Sequence, residues 1–238
     1  MTVPTAFASV ELRRYRLKPG RRDELIALFE TQFLESQEAC GMVPLGHFRD
    51  LDDADAFVWL RGFPRFEQRA TALERFYVQS EAWKRHRDAA NDTMLDSDDV
   101  LLLRPARSGS GINVTSLVRP PLDADESASR YLWILEMLLP DPASEATVAV
   151  FESAALPHLV DVARDASYFI TDRRPNEFPK LPVRENENAF VACALCDTLG
   201  DIEKCREIID GAFLSAMVQP VIDAKHRRLV PGRRSLMR

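Results

Sequence analysis

At 238 residues, 46% hydrophobic and 29% charged, the chain has the composition of a globular protein that buries one large core or two small ones. Its formal net charge of −6 argues against broad nucleic-acid binding, and its longest apolar run, YLWILEMLLP (131–140), is broken by Glu136 and too short to span a bilayer. No secretory signal is apparent, and four cysteines (Cys40, Cys193, Cys196, Cys205) are too few to staple a chain this long, so a reduced, cytoplasmic protein is expected.

VELRRYRL (10–17) alternates as a strand does, and Lys18-Pro19-Gly20 breaks it. The next segment, 21–34, places Leu25, Leu28, Phe29 and Phe33 on one helical face, with Asp23 and Glu24 in the first turn. LGHFRD (45–50) and DAFVWLRG (55–62) predict a hairpin around Leu51-Asp52-Asp53-Ala54. A helical region starts near Pro64, with Phe66, Ala70, Leu73 and Tyr77 at helical spacing and a restart at Ser80, a suitable N-cap. DDVLLLRPA (98–106) closes the unit as a strand, and 108–129, rich in Gly, Ser, Pro and Asp, reads as a linker.

The same order then recurs. Strand 131–140, helix 143–155, strands 166–172 and 188–197 and a helix from Asp201 (Ile202, Cys205, Ile209 and Phe213 on one face) lead to HRRLVPGRRSL (226–236). Val10-Glu11-Leu12 and Leu132-Trp133-Ile134 lie 122 positions apart, as do His47-Phe48-Arg49-Asp50 and Phe169-Ile170-Thr171-Asp172. The second copy then gains eleven residues in the Pro-rich stretch 173–186, before Phe190-Val191 matches Phe57-Val58. Both copies end alike, at Leu103-Arg104-Pro105 and Leu229-Val230-Pro231, which makes the basic C-terminal run the end of a strand rather than a nucleic-acid tail. The expected fold is α+β: two ferredoxin-like βαββαβ repeats, 8–107 and 130–238, joined by the 108–129 linker and packed sheet to sheet as a barrel-type pseudo-dimer.

Strand parity sorts the side chains into two sets. Val10, Leu12, Phe48, Val58 and Leu60 match Leu132, Ile134, Ile170, Val191 and Cys193; this set is apolar in both copies and is assigned to the face beneath the helices. Glu11, Arg13, Tyr15, His47, Arg49, Phe57, Trp59 and Arg61 match Trp133, Leu135, Met137, Phe169, Thr171, Phe190, Ala192 and Ala194, and are assigned to the face between the sheets. A polar, aromatic wall facing an apolar one with two alanines suggests a small-molecule site. There His47 is the candidate acid–base group, Arg13, Arg49 and Arg61 are candidates to hold a carboxylate or enolate oxygen, and Tyr15 and Trp59 to stack on a flat ligand. The competing reading is that Glu11, Arg13, Arg49 and Arg61 only pair across strands, and a bulge at Arg13-Arg14 would flip Tyr15.

No metal or cofactor is expected. Cys193-Ala194-Leu195-Cys196 has CxxC spacing but sits in a strand, without a second pair or a nearby histidine. His86, His158 and His226 are scattered, and no glycine-rich phosphate loop is present.

Two stretches, Glu11-Leu12-Arg13-Arg14-Tyr15-Arg16-Leu17-Lys18-Pro19-Gly20 and Val58-Trp59-Leu60-Arg61-Gly62-Phe63-Pro64-Arg65-Phe66-Glu67-Gln68-Arg69, resemble the NIPSNAP family of the dimeric α/β-barrel superfamily. The resemblance spans about residues 10–106 and weakens over 130–236, where Ala192 and Cys205 stand at the Trp59 and Arg69 positions. It implies the tandem barrel but no agreed activity, since the superfamily holds cofactor-free monooxygenases, isomerases and haem enzymes. Haem would need a histidine on a core-facing helix, and the last helix of the second copy has none. The leading expectation is a small apolar or anionic ligand held between the repeats. The alternatives are a cofactor-independent monooxygenase or isomerase using His47, and a non-catalytic interaction module, with a homo-oligomer compatible with each.

Overall fold

The computed structural model describes residues 6–114, 117–125 and 130–238. Eight antiparallel strands form one closed barrel: β1 (Ser9–Leu17), β2 (Val43–Asp50), β3 (Ala56–Phe63), β4 (Met94–Pro105), β5 (Tyr131–Leu139), β6 (Asp165–Thr171), β7 (Asn188–Cys196) and β8 (Asp223–Pro231). Around the barrel the order is β1-β3-β2-β8-β5-β7-β6-β4. Each half supplies a four-stranded sheet, and the halves join edge to edge, at Phe48↔Pro231 between β2 and β8 and at Leu103↔Thr171 between β4 and β6. Closure leaves no bare strand edge, so no second copy is required to satisfy the backbone.

The helices lie outside the barrel. In the first half these are α1 (Arg22–Leu28), α2 (Leu34–Ala39), α3 (Arg69–Glu74) and α4 (Glu81–Asp92); in the second, α5 (Glu145–Ala154), α6 (Leu156–Val162), α7 (Leu199–Ile208) and α8 (Leu214–Ala216). Ser80 caps α4 as predicted, accepting from the Trp83 backbone N–H, and Thr198 and Asp201 form a capping box on α7. Ile202, Cys205, Ile209 and Phe213 are all buried, as their spacing predicts. Helix α6 has no counterpart in the sequence reading. Single π-helical turns at Phe29–Phe33, Arg75–Gln79 and Ile209–Phe213 widen the helices and turn extra residues toward the sheet. Among the described residues, no helix is long and apolar enough to cross a membrane.

The assignment of the two strand faces is reversed in the structure. Val10, Leu12, Phe48, Val58 and Leu60 pack with Leu132, Ile134, Val191, Cys193 and Leu229 in one cluster that fills the barrel interior. The set holding Glu11, Arg13, Tyr15, Phe57, Trp59 and Arg61 lies beneath the helices of its own half. The reason is topological. The interior is lined by both halves from opposite sides, so both must offer apolar side chains there, whereas each helix-side face is packed mainly by its own half.

Further corrections concern register and ends. Phe48 pairs with Val58 and Phe169 with Val191, so Phe169 corresponds to Phe48 (169 − 48 = 121) and Tyr168, not Phe169, corresponds to His47. Ile170 likewise lies with the helix-side cluster of the second half. The bulge lies in β4, opposite Arg14–Leu17, and leaves Tyr15 on the same face as Glu11 and Arg13. Within the stretch read as a linker, Ile112 and Val114 are buried in the barrel core. The last strand stops at Pro231; beyond it Leu236 and Met237 plug the barrel, while Arg233 and Arg234 pair with Glu30 and Glu35.

Candidate functional site

Alternation on β1 and β3 brings four charges together beneath the first-half helices. Glu11 stands directly opposite Arg61 in the β1–β3 register, and Arg13 opposite Trp59. Arg13 Nη1 donates to Glu11 Oε2 at 2.9 Å, Arg61 Nε to the same oxygen at 3.0 Å, and Arg69 Nε to Oε1 at 2.7 Å. All four residues are at most 1% exposed. Burial by itself would raise the Glu11 carboxyl, but Arg61, Arg13 and Arg69 together overcome it and hold it far below the ordinary range. Three guanidinium groups against one carboxylate leave an excess of two positive charges in a dry environment.

Arg61 Nη2 also donates to Glu11 Oε2, and other arginine donors go to neutral acceptors. Arg13 Nε donates to the Tyr15 hydroxyl at 3.0 Å, and Arg61 Nη1 to the Tyr77 hydroxyl at 3.1 Å and to Gln37 Oε1 at 3.3 Å. Arg69 Nη1 donates to Asn176 Oδ1 at 2.9 Å, a contact from the second half of the chain. The guanidinium carbons of Arg61 and Arg13 lie 4.9 and 5.5 Å from the Trp59 ring centroid, so the indole sits between two cations.

Tyr15, Gln37, Trp59 and Tyr77 form one side of a cavity of about 340 Å³. Its other walls are aromatic: Phe29, Phe33, Phe57, Phe76 and Trp83. Phe178, Lys180 and Leu181 close it from the second half, inside the eleven-residue gain of 173–186. That segment is anchored by the Arg69–Asn176 bond and by Arg174, whose guanidinium stacks 3.8 Å from the Phe66 ring centroid. No Asp or Glu lines the cavity, and one cation, Lys180, does. Arginines donate to the oxygens of Tyr15, Tyr77 and Gln37, and the O–H and N–H groups of these side chains remain to be given. Trp59 Nε1 is buried and has no acceptor.

The six candidate residues divide. Arg13, Tyr15, Trp59 and Arg61 come together, Tyr15 and Trp59 as cavity walls and the arginines behind them. Arg49 does not join them; it pairs with Asp23 of α1 at 2.9 Å at the surface. His47 is fully buried but does not line the cavity, and stands behind Phe29 and Phe57, with ring centroids 5.4 and 6.5 Å from its own. Its Nε2 donates to Glu30 Oε1 at 2.8 Å, while Nδ1 has no partner. Burial pushes the His47 pKa down, and the bond to Glu30 offsets this only in part. Glu30 also accepts from Arg233 Nε at 2.7 Å, so this pair anchors the C-terminal tail. The tail passes so close that a Cβ on Gly232 would come 2.1 Å from His47 Nε2.

Gln37, Arg69, Tyr77, Asn176, Phe178 and Lys180 were not singled out from the sequence. Arg69 carried a signal: it falls in the helical row of Phe66, Leu73 and Phe76, where a charge has to be buried. The motif Cys193-Ala194-Leu195-Cys196 dissolves, because Cys193 faces the barrel interior and Cys196 the helices, where its Sγ meets that of Cys205 at 3.8 Å.

The likeness to known proteins follows the same division of the chain. No curated protein matches it in sequence. Among solved structures, a protein of Fusobacterium nucleatum subsp. nucleatum provisionally named a monooxygenase aligns over 95% of this chain and 93% of its own, at 8% identity and a TM-score of 0.60. A provisionally named chlorite dismutase aligns over 95% and 96%, at 10% identity and a TM-score of 0.56. At such identities the likeness is one of fold. An uncharacterised NIPSNAP domain protein of Burkholderia xenovorans covers 41% of this chain and 94% of its own, at 18% identity and a TM-score of 0.38. Residues 10–108, which hold the buried arginine cluster and most of the cavity wall, match the NIPSNAP family model.

Proposed function

We propose that this protein binds a small, flat, largely apolar molecule in the cavity beneath the first-half helices. In this reading the chain is a cytoplasmic pseudo-dimer of two ferredoxin-like βαββαβ repeats, 8–107 and 130–238, of which the first holds the site and the second supplies its cover. The carrying observation is the aromatic cavity of about 340 Å³, closed by Phe178, Lys180 and Leu181 from the other half. A largely apolar concavity with a few convergent polar groups is the usual make-up of a ligand site.

The test is native mass spectrometry of the freshly purified chain, with calorimetric titration of naphthalene-sized probes. A co-purified small molecule or a saturable probe is expected, and it should be lost in Ala90→Phe, which fills the cavity wall. Absence of both in a folded wild type overturns the reading.

The cluster of donors also favours a second, enzymatic reading, a cofactor-independent monooxygenase or isomerase. Hydrogen bonds from Tyr15, Tyr77 and Gln37 would stabilise an enolate or phenolate formed in the cavity. That chemistry belongs beside Trp59 rather than at His47, which two phenylalanine rings separate from the space. Turnover lost in Tyr77→Phe and kept in His47→Gln supports it; the opposite pattern sinks it.

A further inference from the structure

We propose that the ligand is an anion, an aromatic monocarboxylate whose acid group sits on Tyr15, Gln37 and Tyr77 while its ring lies among Phe33, Phe76 and Trp83. This deepens the proposed function and rests on the cavity being a ligand site. Three observations converge on it.

The first is charge. Behind the cavity wall, Arg13, Arg61 and Arg69 share the single carboxylate of Glu11, and the other acceptors they reach, Tyr15, Tyr77, Gln37 and Asn176, are neutral. Two buried positive charges therefore lack a counter-charge, an arrangement that is costly unless an anion completes it. Glu11 cannot be supplemented by a second acid from the cavity lining, which holds none, and the lining's one ionised side chain is Lys180.

The second is donor direction. Each arginine that bonds a wall residue donates to its oxygen, so the tyrosine O–H and Gln37 N–H groups remain to be given to a ligand. Trp59 Nε1 adds a buried donor without an acceptor. Four donors match the lone pairs of two oxygens better than those of one, which favours a carboxylate over an alcohol or a ketone. Donors polarised from behind by guanidinium groups bind an anion more strongly than a neutral carbonyl of the same shape.

The third is shape. The rest of the wall is largely aromatic, with Leu25, Ala90 and Met94 between the rings, and about 340 Å³ accommodates a two-ring molecule.

The experiment compares 1-naphthoate with its neutral isostere 1-naphthamide, titrated calorimetrically into the intact purified chain. Naphthoate is expected to bind at least about tenfold more tightly, the scale of one charge-assisted hydrogen bond. In Tyr77→Phe and in Lys180→Met the naphthoate advantage should shrink while naphthamide affinity stays within about twofold. Unchanged thermal midpoints show that both variants fold. Equal or tighter binding of naphthamide overturns the anion assignment and leaves the cavity reading standing. Failure of both probes to bind the wild type overturns the two together. An advantage that persists undiminished in both variants places the anion elsewhere and also overturns the proposal.

Discussion

The two halves of this chain pair their strands in the same pattern and bury opposite kinds of side chain beneath their helices. In the first, Glu11 faces Arg61 and Arg13 faces Trp59; in the second, the matching pairs are Trp133 with Ala194 and Leu135 with Ala192. Both halves contain a tryptophan on this face, yet only one indole is satisfied: Trp133 Nε1 donates to His226 Nδ1 at 3.2 Å, whereas Trp59 Nε1 has no acceptor. Phe151 packs against Phe190 and Phe213 in the second half, while the first keeps a cavity and borrows a cover from its neighbour. One scaffold position can thus carry apolar packing in one half and a buried charge cluster in the other, provided the barrel interior between them stays apolar.

The sharpest way to break this comparison is to remove its central charge. Glu11→Gln leaves three buried guanidinium groups without an acid and should destabilise the chain by about 3–5 kcal/mol in urea denaturation, the scale of an orphaned buried ion pair. A loss below about 1 kcal/mol would show that the arginines find compensation elsewhere. Next in size is Ala192→Trp, which places the first half's indole at the matching position of the second. Phe151 and Phe190 already occupy that space, so overpacking should cost about 1–3 kcal/mol without producing a probe-binding cavity.

A smaller effect tests the His47–Glu30 anchor. Burial holds His47 below its ordinary value of 6.5. As pH falls through 6.5 the unfolded chain takes up a proton that the folded histidine refuses, so stability present above that pH declines below it. His226 and Glu30, also lowered, act in the same direction, Glu30 at more acid pH. His47→Gln should therefore flatten, without abolishing, the fall in melting temperature between about pH 7.5 and 5.5; an unaltered slope would remove His47 from the account. The smallest effect belongs to Arg49→Ala. Its pair with Asp23 is exposed, so neither the denaturation midpoint nor probe binding should change, and a clear drop in binding would return Arg49 to the site.

Much of this arrangement is legible in the sequence. The strands and principal helices, the Ser80 cap and the hydrophobic face of α7 follow from alternation, helical spacing and capping chemistry. Residues 11, 13, 15, 59 and 61 stand out as a set because their period is 2. Which face of the sheet they occupy does not follow, since a strand buried on both sides carries an apolar row either way. The informative clue was symmetry: the row that is apolar in both halves is the one the halves share. Tyr77 stands out only as part of a helical row, while Gln37, on α2 just beyond a π-helical turn, and Phe178, in an irregular Pro-rich segment, have no period that marks them.

The sequence by itself determined the order of elements, the near-repetition of the halves and the unequal chemistry of their matching strands, because these depend on residues near one another in the chain. Only the tertiary structure decided that the barrel closes edge to edge, that its interior is the apolar row, and that Asn176, Phe178 and Lys180 seal a cavity built by residues 15 to 97. Those outcomes depend on contacts across more than a hundred positions, such as Arg69 with Asn176, and no local pattern encodes them.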